Sequence, residues 1–259
     1  MPPRIAFDDL GGGEPALLFL PGWCGPRTVF RRLLPALSTR RRVLALDFRG
    51  HGESEPAQQD FGYPELLDDA LRVLESAGVE RVVPVTLSHA GWAAIDLRRK
   101  LGPERVPGIV FVDWMVLGAP APFMQALTSL QHPRRWMQVR NRLFESWSSG
   151  VDVPAVHEYI AEMRLADGSM WWRGAREIAA RFRAEPVPLA VLEREPVPCP
   201  TLHLDTQRAD PVLHGAQQDY SKRNSWFSVH RLAATSHFPM LEAPEELCER
   251  IQAFAAALT

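Results

Sequence analysis

The stretch from Val82 to Trp92, VVPVTLSHAGW, limits what this chain can fold into more than any other. Apolar and β-branched residues end abruptly on Ser88, small residues stand two places to either side of it (Thr86 and Ala90), and helical spacing then runs from Ala90 to Leu101. The pattern predicts a strand, a very tight turn and a helix. Such a turn closes only when its flanking positions are small, because strand and helix backbones pass close together there. It presents the Ser88 hydroxyl at a helix N-terminus, where outward-pointing N–H groups favour developing negative charge. The competing reading is a serine that merely caps a helix, a common role for that residue.

The rest of the chain sets the context. Pro15 to Leu20 is an unbroken apolar run that stops at the turn Pro21-Gly22-Trp23-Cys24-Gly25, and Val29 to Leu37 has helical spacing. Arg42 to Asp47 predicts a strand running into a polar glycine loop, Phe48 to Ser54; Tyr63 to Ala77 predicts an amphipathic helix and Val79 to Val85 the strand before Ser88. Regular alternation of strand and helix predicts a parallel sheet covered on both faces. Sites in such sheets lie at the carboxyl ends of strands, so Ser88, the Trp23 loop and the Asp47 loop share one edge. Gly108 to Val112 is the next strand, ending at Asp113-Trp114.

From Pro120 to about Arg183 helical spacing replaces strands, and Trp136, Trp147, Trp171 and Trp172 put half of the eight tryptophans in this quarter. A helical cap over residues 120–184 is expected, inserted into a core formed by 1–119 and 185–259; packing between helices also uses tryptophan. Strands resume at Cys199 to Asp205, followed by Arg208-Ala209-Asp210-Pro211, and the last strand, Trp226 to Leu232, precedes Ser236-His237-Phe238-Pro239. Pro244 to Leu258 closes the chain as a helix.

At 259 residues and 46% hydrophobic content the chain can bury one large core. A net charge of -2 leaves no electrostatic footprint for nucleic acid or an anionic membrane. No apolar run is long enough to span a bilayer, and Met1-Pro2-Pro3-Arg4 lacks the layout of a signal peptide, which predicts a cytoplasmic protein. Cys24, Cys199 and Cys248 form neither a disulfide framework nor a zinc motif, and the histidines lack metal spacing.

A serine on a strand-turn-helix, an acid after a later strand and a histidine after the last one is the chain order of the α/β-hydrolase fold, which this sequence resembles over nearly its whole length. Within that superfamily, Pro21-Gly22-Trp23-Cys24, Ser88-His89-Ala90-Gly91-Trp92, Gly108 to Trp114, Trp171 with Arg173, and Ser236-His237-Phe238-Pro239 resemble the cofactor-independent 2,4-dioxygenases of 3-hydroxy-4-quinolones and 3-hydroxy-4-oxoquinaldine. The resemblance implies cleavage of a small heteroaromatic ring with O2, giving carbon monoxide and an N-acylanthranilate, without metal or organic cofactor. It implies His237 as general base, Asp113 as the acid that orients it, Ser88 as a hydrogen-bonding partner of the substrate, and Trp171 in the cap wall. The backbone N–H groups of Trp23 and His89 then stand where a hydrolase stabilises an oxyanion.

Most hydrolases of this fold carry the acid after the penultimate strand, where Asp210 stands here; the dioxygenases carry it where Asp113 stands. Both positions hold aspartate, so position alone leaves the acid open. Leu87 and Gly25 replace histidines found in the best-known dioxygenases, which makes the pocket less polar. The alternative function is a serine hydrolase in which Ser88 is acylated, His237 is its base and Asp210 or Asp113 orients the ring.

Overall fold

The computed structural model describes residues 2–206 and 210–258. Among them seven strands form one sheet in the order β1-β3-β2-β4-β5-β6-β7. These are β1 (Phe7–Leu10), β2 (Ala16–Leu20), β3 (Val43–Leu46), β4 (Val82–Leu87), β5 (Ile109–Val112), β6 (Thr201–Asp205) and β7 (Phe227–Arg231). All neighbours are parallel except β1, which pairs antiparallel with β3 at the edge. Every residue of β2, β3, β4, β5 and β6 is buried, as strands covered on both faces require. β1 carries no such signal: its sequence is FDDL, and Asp9 pairs with Arg42 at 2.7 Å on the exposed side.

The helices of the core are α1 (Leu34–Ser38), α2 (Tyr63–Ser76) and α3 (Gly91–Arg105). The helix expected over Val29 to Leu37 is broken into a 3-10 turn, Arg27–Phe30, and the short α1. Pro35 explains the break, because it has no N–H to continue a helix from upstream and fits only in a first turn. Between β5 and β6 lie α4 (Ala121–Leu130), α5 (Trp136–Trp147), α6 (Pro154–Met163), α7 (Gly168–Ala184) and α8 (Pro188–Glu193). α9 (Pro211–Arg223), α10 (Pro239–Glu242) and α11 (Pro244–Ala256) complete the chain. α9 escapes sequence reading because Gln217 is its buried residue while Val212 and Leu213 are exposed, so it has no apolar stripe to find. Of the Arg208-Ala209-Asp210-Pro211 turn, Arg208 and Ala209 lie outside the described residues. Cys24, Cys199 and Cys248 are buried free thiols. No helix of the described residues is long and apolar enough to cross a membrane.

Candidate active site

The sheet register builds the site. Leu87 pairs with Val112 and Val112 with Leu204, so Ser88, Asp113 and Asp205 stand level at the carboxyl edge of three adjacent strands. Ser88 and Asp113 both take left-handed backbone, φ 55° and 43°, which costs a non-glycine residue about 1–3 kcal/mol and persists only where the surroundings hold it. At Asp113 those surroundings are explicit. Its own N–H donates to Leu204 O at 2.9 Å, and the next N–H, on Trp114, donates to His203 Nε2 at 3.1 Å. His203 is fully buried, hydrogen-bonds Gln217 through Nδ1, and has its pKa lowered by burial, so it stays a neutral acceptor toward Trp114.

The structure brings Asp113 and His237 together. Asp113 Oδ2 meets His237 Nδ1 in a short hydrogen bond, and Asp113 Oδ1 accepts the Thr206 hydroxyl at 2.8 Å. His237 itself is 5% exposed, its N–H donates to Trp147 O at 2.9 Å, and its ring stacks on the Trp147 indole at 5.0 Å and 28°. Asp210 is committed elsewhere. It is exposed, and its carboxylate accepts Val212 N–H at 2.8 Å as the N-cap of α9. Asp205, at the end of β6, pairs with His214 at 2.9 Å.

The Trp23 loop lies directly against the serine turn: a Cβ on Gly22 would sit 3.7 Å from the Ser88 Cβ. The loop's shape depends on Cys24 at φ 59°, whose N–H donates to His51 Nε2 at 3.1 Å, while His51 Nδ1 bonds Arg49 O at 3.0 Å. Burial lowers the His51 pKa and keeps it in this neutral form. The Trp23 indole N–H donates to Met170 O at 2.7 Å and lies across Gly174, which ties the loop to α7. Trp171, also on α7, is buried and lines a narrow apolar cavity of about 40 Å³ with Trp23, Ser88, His89 and His237. A wider cavity of about 340 Å³ shares Ser88, His89, Trp147 and His237 and continues outward past Asp113 to Asp205 and Gln217. That size falls in the roughly 300–1,000 Å³ range of small-molecule sites.

Sequence reasoning missed Thr206, His203 and Phe123, and it placed Trp147 only among the tryptophans of the expected cap. No motif marks them, because each arrives through packing of a distant element. Phe123 of α4 stacks on His89 at 5.3 Å and 15°, giving the site a second aromatic wall opposite in kind to Trp147. The Gly25 position also has a physical account: a Cβ there would lie 2.1 Å from the Tyr159 hydroxyl of α6, so the phenol occupies the space a side chain would need. Among the described residues, no group of three or more His, Cys, Asp or Glu side chains is arranged to hold a metal ion.

Comparisons with known proteins show the family. The sequence profile of the Alpha/beta hydrolase family matches residues 17–250. The chain is 34% identical to the 2-heptyl-3-hydroxy-4-quinolone dioxygenase AqdC2 of Rhodococcus erythropolis, over 97% of this chain and 94% of that one. It is 31% identical to the 1H-3-hydroxy-4-oxoquinoline 2,4-dioxygenase of Pseudomonas putida, over 94% and 92%. A solved AqdC variant in complex with its substrate, from work on recognition and ring cleavage of the Pseudomonas quinolone signal, superposes with a TM-score of 0.93 at 30% identity, covering 98% of this chain and 96% of that one. The chain belongs to the alpha/beta hydrolase family and, within it, to the group of cofactor-independent 3-hydroxy-4-quinolone 2,4-dioxygenases.

Proposed function

We propose that the protein is a cofactor-free dioxygenase that opens the ring of a 3-hydroxy-4(1H)-quinolone with O2, releasing carbon monoxide and an N-acylanthranilate. The observation that carries the reading is the buried Asp113–His237 pair, set against an indole face and beside Ser88, in a chain 31–34% identical over nearly its full length to quinolone dioxygenases. Asp113 engages Nδ1 of His237, so Nε2 receives the substrate's 3-hydroxyl proton. Asp113 stabilises the resulting imidazolium as the buried aspartate of a triad does. Ser88 hydrogen-bonds the bound anion, and the Trp23 and His89 amides face its C4 oxygen.

The anion is electron-rich enough to pass an electron to O2. Radical recombination forms a C2–O bond, and the resulting peroxide adds to the C4 carbonyl carbon. Cleavage of the O–O, C2–C3 and C3–C4 bonds leaves one oxygen atom on C2 and the other on C4, while C3 departs with its own oxygen as carbon monoxide. Both atoms of O2 stay in the N-acylanthranilate, and no external reductant is consumed. Helices of the 120–184 segment act as a cap that keeps water out while this happens; Trp171 belongs to its wall. A small heteroaromatic substrate, O2 and a cytosolic setting are parts of the same proposal.

An oxygen electrode and a carbon monoxide assay test it. Purified protein mixed anaerobically with a 3-hydroxy-4-quinolone and then given air consumes O2 and releases an equal amount of carbon monoxide. His237→Ala abolishes this, whereas Ser88→Ala leaves measurable ring opening. Rapid labelling of Ser88 by a fluorophosphonate with ester turnover, and no O2 uptake, would make the protein a serine hydrolase instead.

A further inference from the structure

The imidazole of His89 borders both cavities beside Ser88 and His237, yet the reading above uses this residue only through its backbone amide. His89 Nδ1 accepts a hydrogen bond from the Trp114 indole N–H at 3.3 Å. An indole nitrogen can only donate, so Nδ1 carries a lone pair and the single proton of the neutral ring sits on Nε2. Among the described residues that Nε2 has no hydrogen-bond partner. The ring cannot readily turn away, because Phe123 stacks on it at 5.3 Å and Phe182 meets it edge-on at 5.8 Å.

Trp114 is itself built into place. Its N–H is held by His203, its indole packs edge-on against Trp92 at 5.1 Å and Phe111 at 4.8 Å, and it lies across Gly91, where a Cβ would come within 2.3 Å of its ring carbons. Gly91 therefore has a role distinct from turn closure: it is the gap through which the indole reaches His89.

We infer that the His89 side chain donates an Nε2–H hydrogen bond to the anionic oxygen of the bound hydroxyquinolone, and that Trp114 is the positioning residue that selects the tautomer able to do so. The identity of that oxygen rests on the dioxygenase reading; the tautomer is a property of the protein alone. The opposite tautomer would aim a lone pair at the anion and repel it. Burial, reinforced by repulsion from His237, pushes the His89 pKa down to about 3, so this donor does not compete for the proton that His237 takes.

Histidine-directed two-bond 1H–15N correlation spectra of the ¹⁵N-labelled full-length protein test the tautomer without substrate. His89 should appear as the Nε2–H form in the wild type and as a mixture in Trp114→Phe, which keeps an aromatic ring but removes the donor. Oxygen uptake tests the consequence: kcat falls roughly tenfold or more in His89→Leu, with a smaller change in KM, and His89→Gln, whose amide N–H reaches the same place, recovers part of the loss. An Nδ1–H tautomer in the wild type, or wild-type kcat in His89→Leu, overturns the inference. The expected tautomer in a protein that consumes no O2 with any hydroxyquinolone overturns instead the dioxygenase reading, and with it the oxygen assigned here.

Discussion

Replacing Asp113 by Asn separates the two candidate acids by a measurable margin. The Asp113 and His237 side chains are 5% and 7% exposed, so their interaction is poorly screened by water. With charge centres about 4 Å apart and an effective dielectric constant of about 20, the carboxylate stabilises the imidazolium by about 4 kcal/mol. Asparagine keeps an acceptor for Nδ1–H, worth about 1 kcal/mol, which leaves a net loss of about 3 kcal/mol. That is about 100-fold in kcat/KM. Folding should survive, because the Thr206 hydroxyl that now donates to Asp113 Oδ1 at 2.8 Å can turn and accept from the new amide. Asp210→Ala should change kcat/KM less than about twofold and cost only a little stability through the lost α9 cap. Initial rates on an oxygen electrode, with thermal melts of both variants, make the comparison. A loss in Asp210→Ala equal to or larger than that in Asp113→Asn would refute the assignment of the acid.

Other consequences follow from buried contacts. Gly25→Ala drives a methyl group to 2.1 Å from the Tyr159 hydroxyl and should destabilise the protein by about 1–3 kcal/mol; Tyr159→Phe in the same chain should restore most of the melting temperature, and purely additive effects would contradict the contact. Three buried histidines, His51, His89 and His203, have lowered pKa values, so below about pH 6.5 the unfolded chain binds protons that the folded chain refuses and stability falls with pH. For His89, lowered from 6.5 to about 3, the loss reaches about 2 kcal/mol at pH 5; urea midpoints should drop between pH 7 and pH 5, and less so in His89→Gln.

The parts of the site that were legible in the sequence are those that directly follow a strand. Ser88, Trp23 and Asp113 each come after a buried apolar run, so periodicity alone puts them on one edge of the sheet. His237 follows the loop after β7 and is placed by chain order. Position after a strand could not choose between Asp113 and Asp210, since both follow one; the residues around Asp113 favoured it by resemblance, and the packed loop is what shows which carboxylate meets the imidazole. Thr206, Tyr159 and the contact of Trp147 with His237 were illegible because packing, not sequence pattern, sets them. Thr206 faces Asp113 because β5 and β6 are neighbours, and Trp147 reaches His237 from the end of a helix ninety residues earlier in the chain.

The partners of the buried histidines explain why one of them is suited to take up a proton while the others are not. Four are buried: His51, His89, His203 and His237. His51 sits between the Cys24 N–H and the Arg49 carbonyl, His89 accepts from an indole, and His203 lies between the Trp114 N–H and the Gln217 amide oxygen. Each of these three accepts a hydrogen bond from a group that can only donate, which fixes a neutral tautomer and makes protonation break a bond as well as bury a charge. His237 instead has a carboxylate at Nδ1, so adding a proton at Nε2 completes an ion pair. The carboxylate could come from β6 only if Asp205 were available, and it is held by His214. Placing the acid on β5 lets β6 contribute Thr206 as a second donor to Asp113, so that both carboxylate oxygens are engaged before the substrate arrives. Of the four buried imidazoles, His237 is therefore the one whose protonation the surroundings favour, whereas His51 and His203 have both ring nitrogens engaged and His89 keeps its Nε2–H toward the cavity.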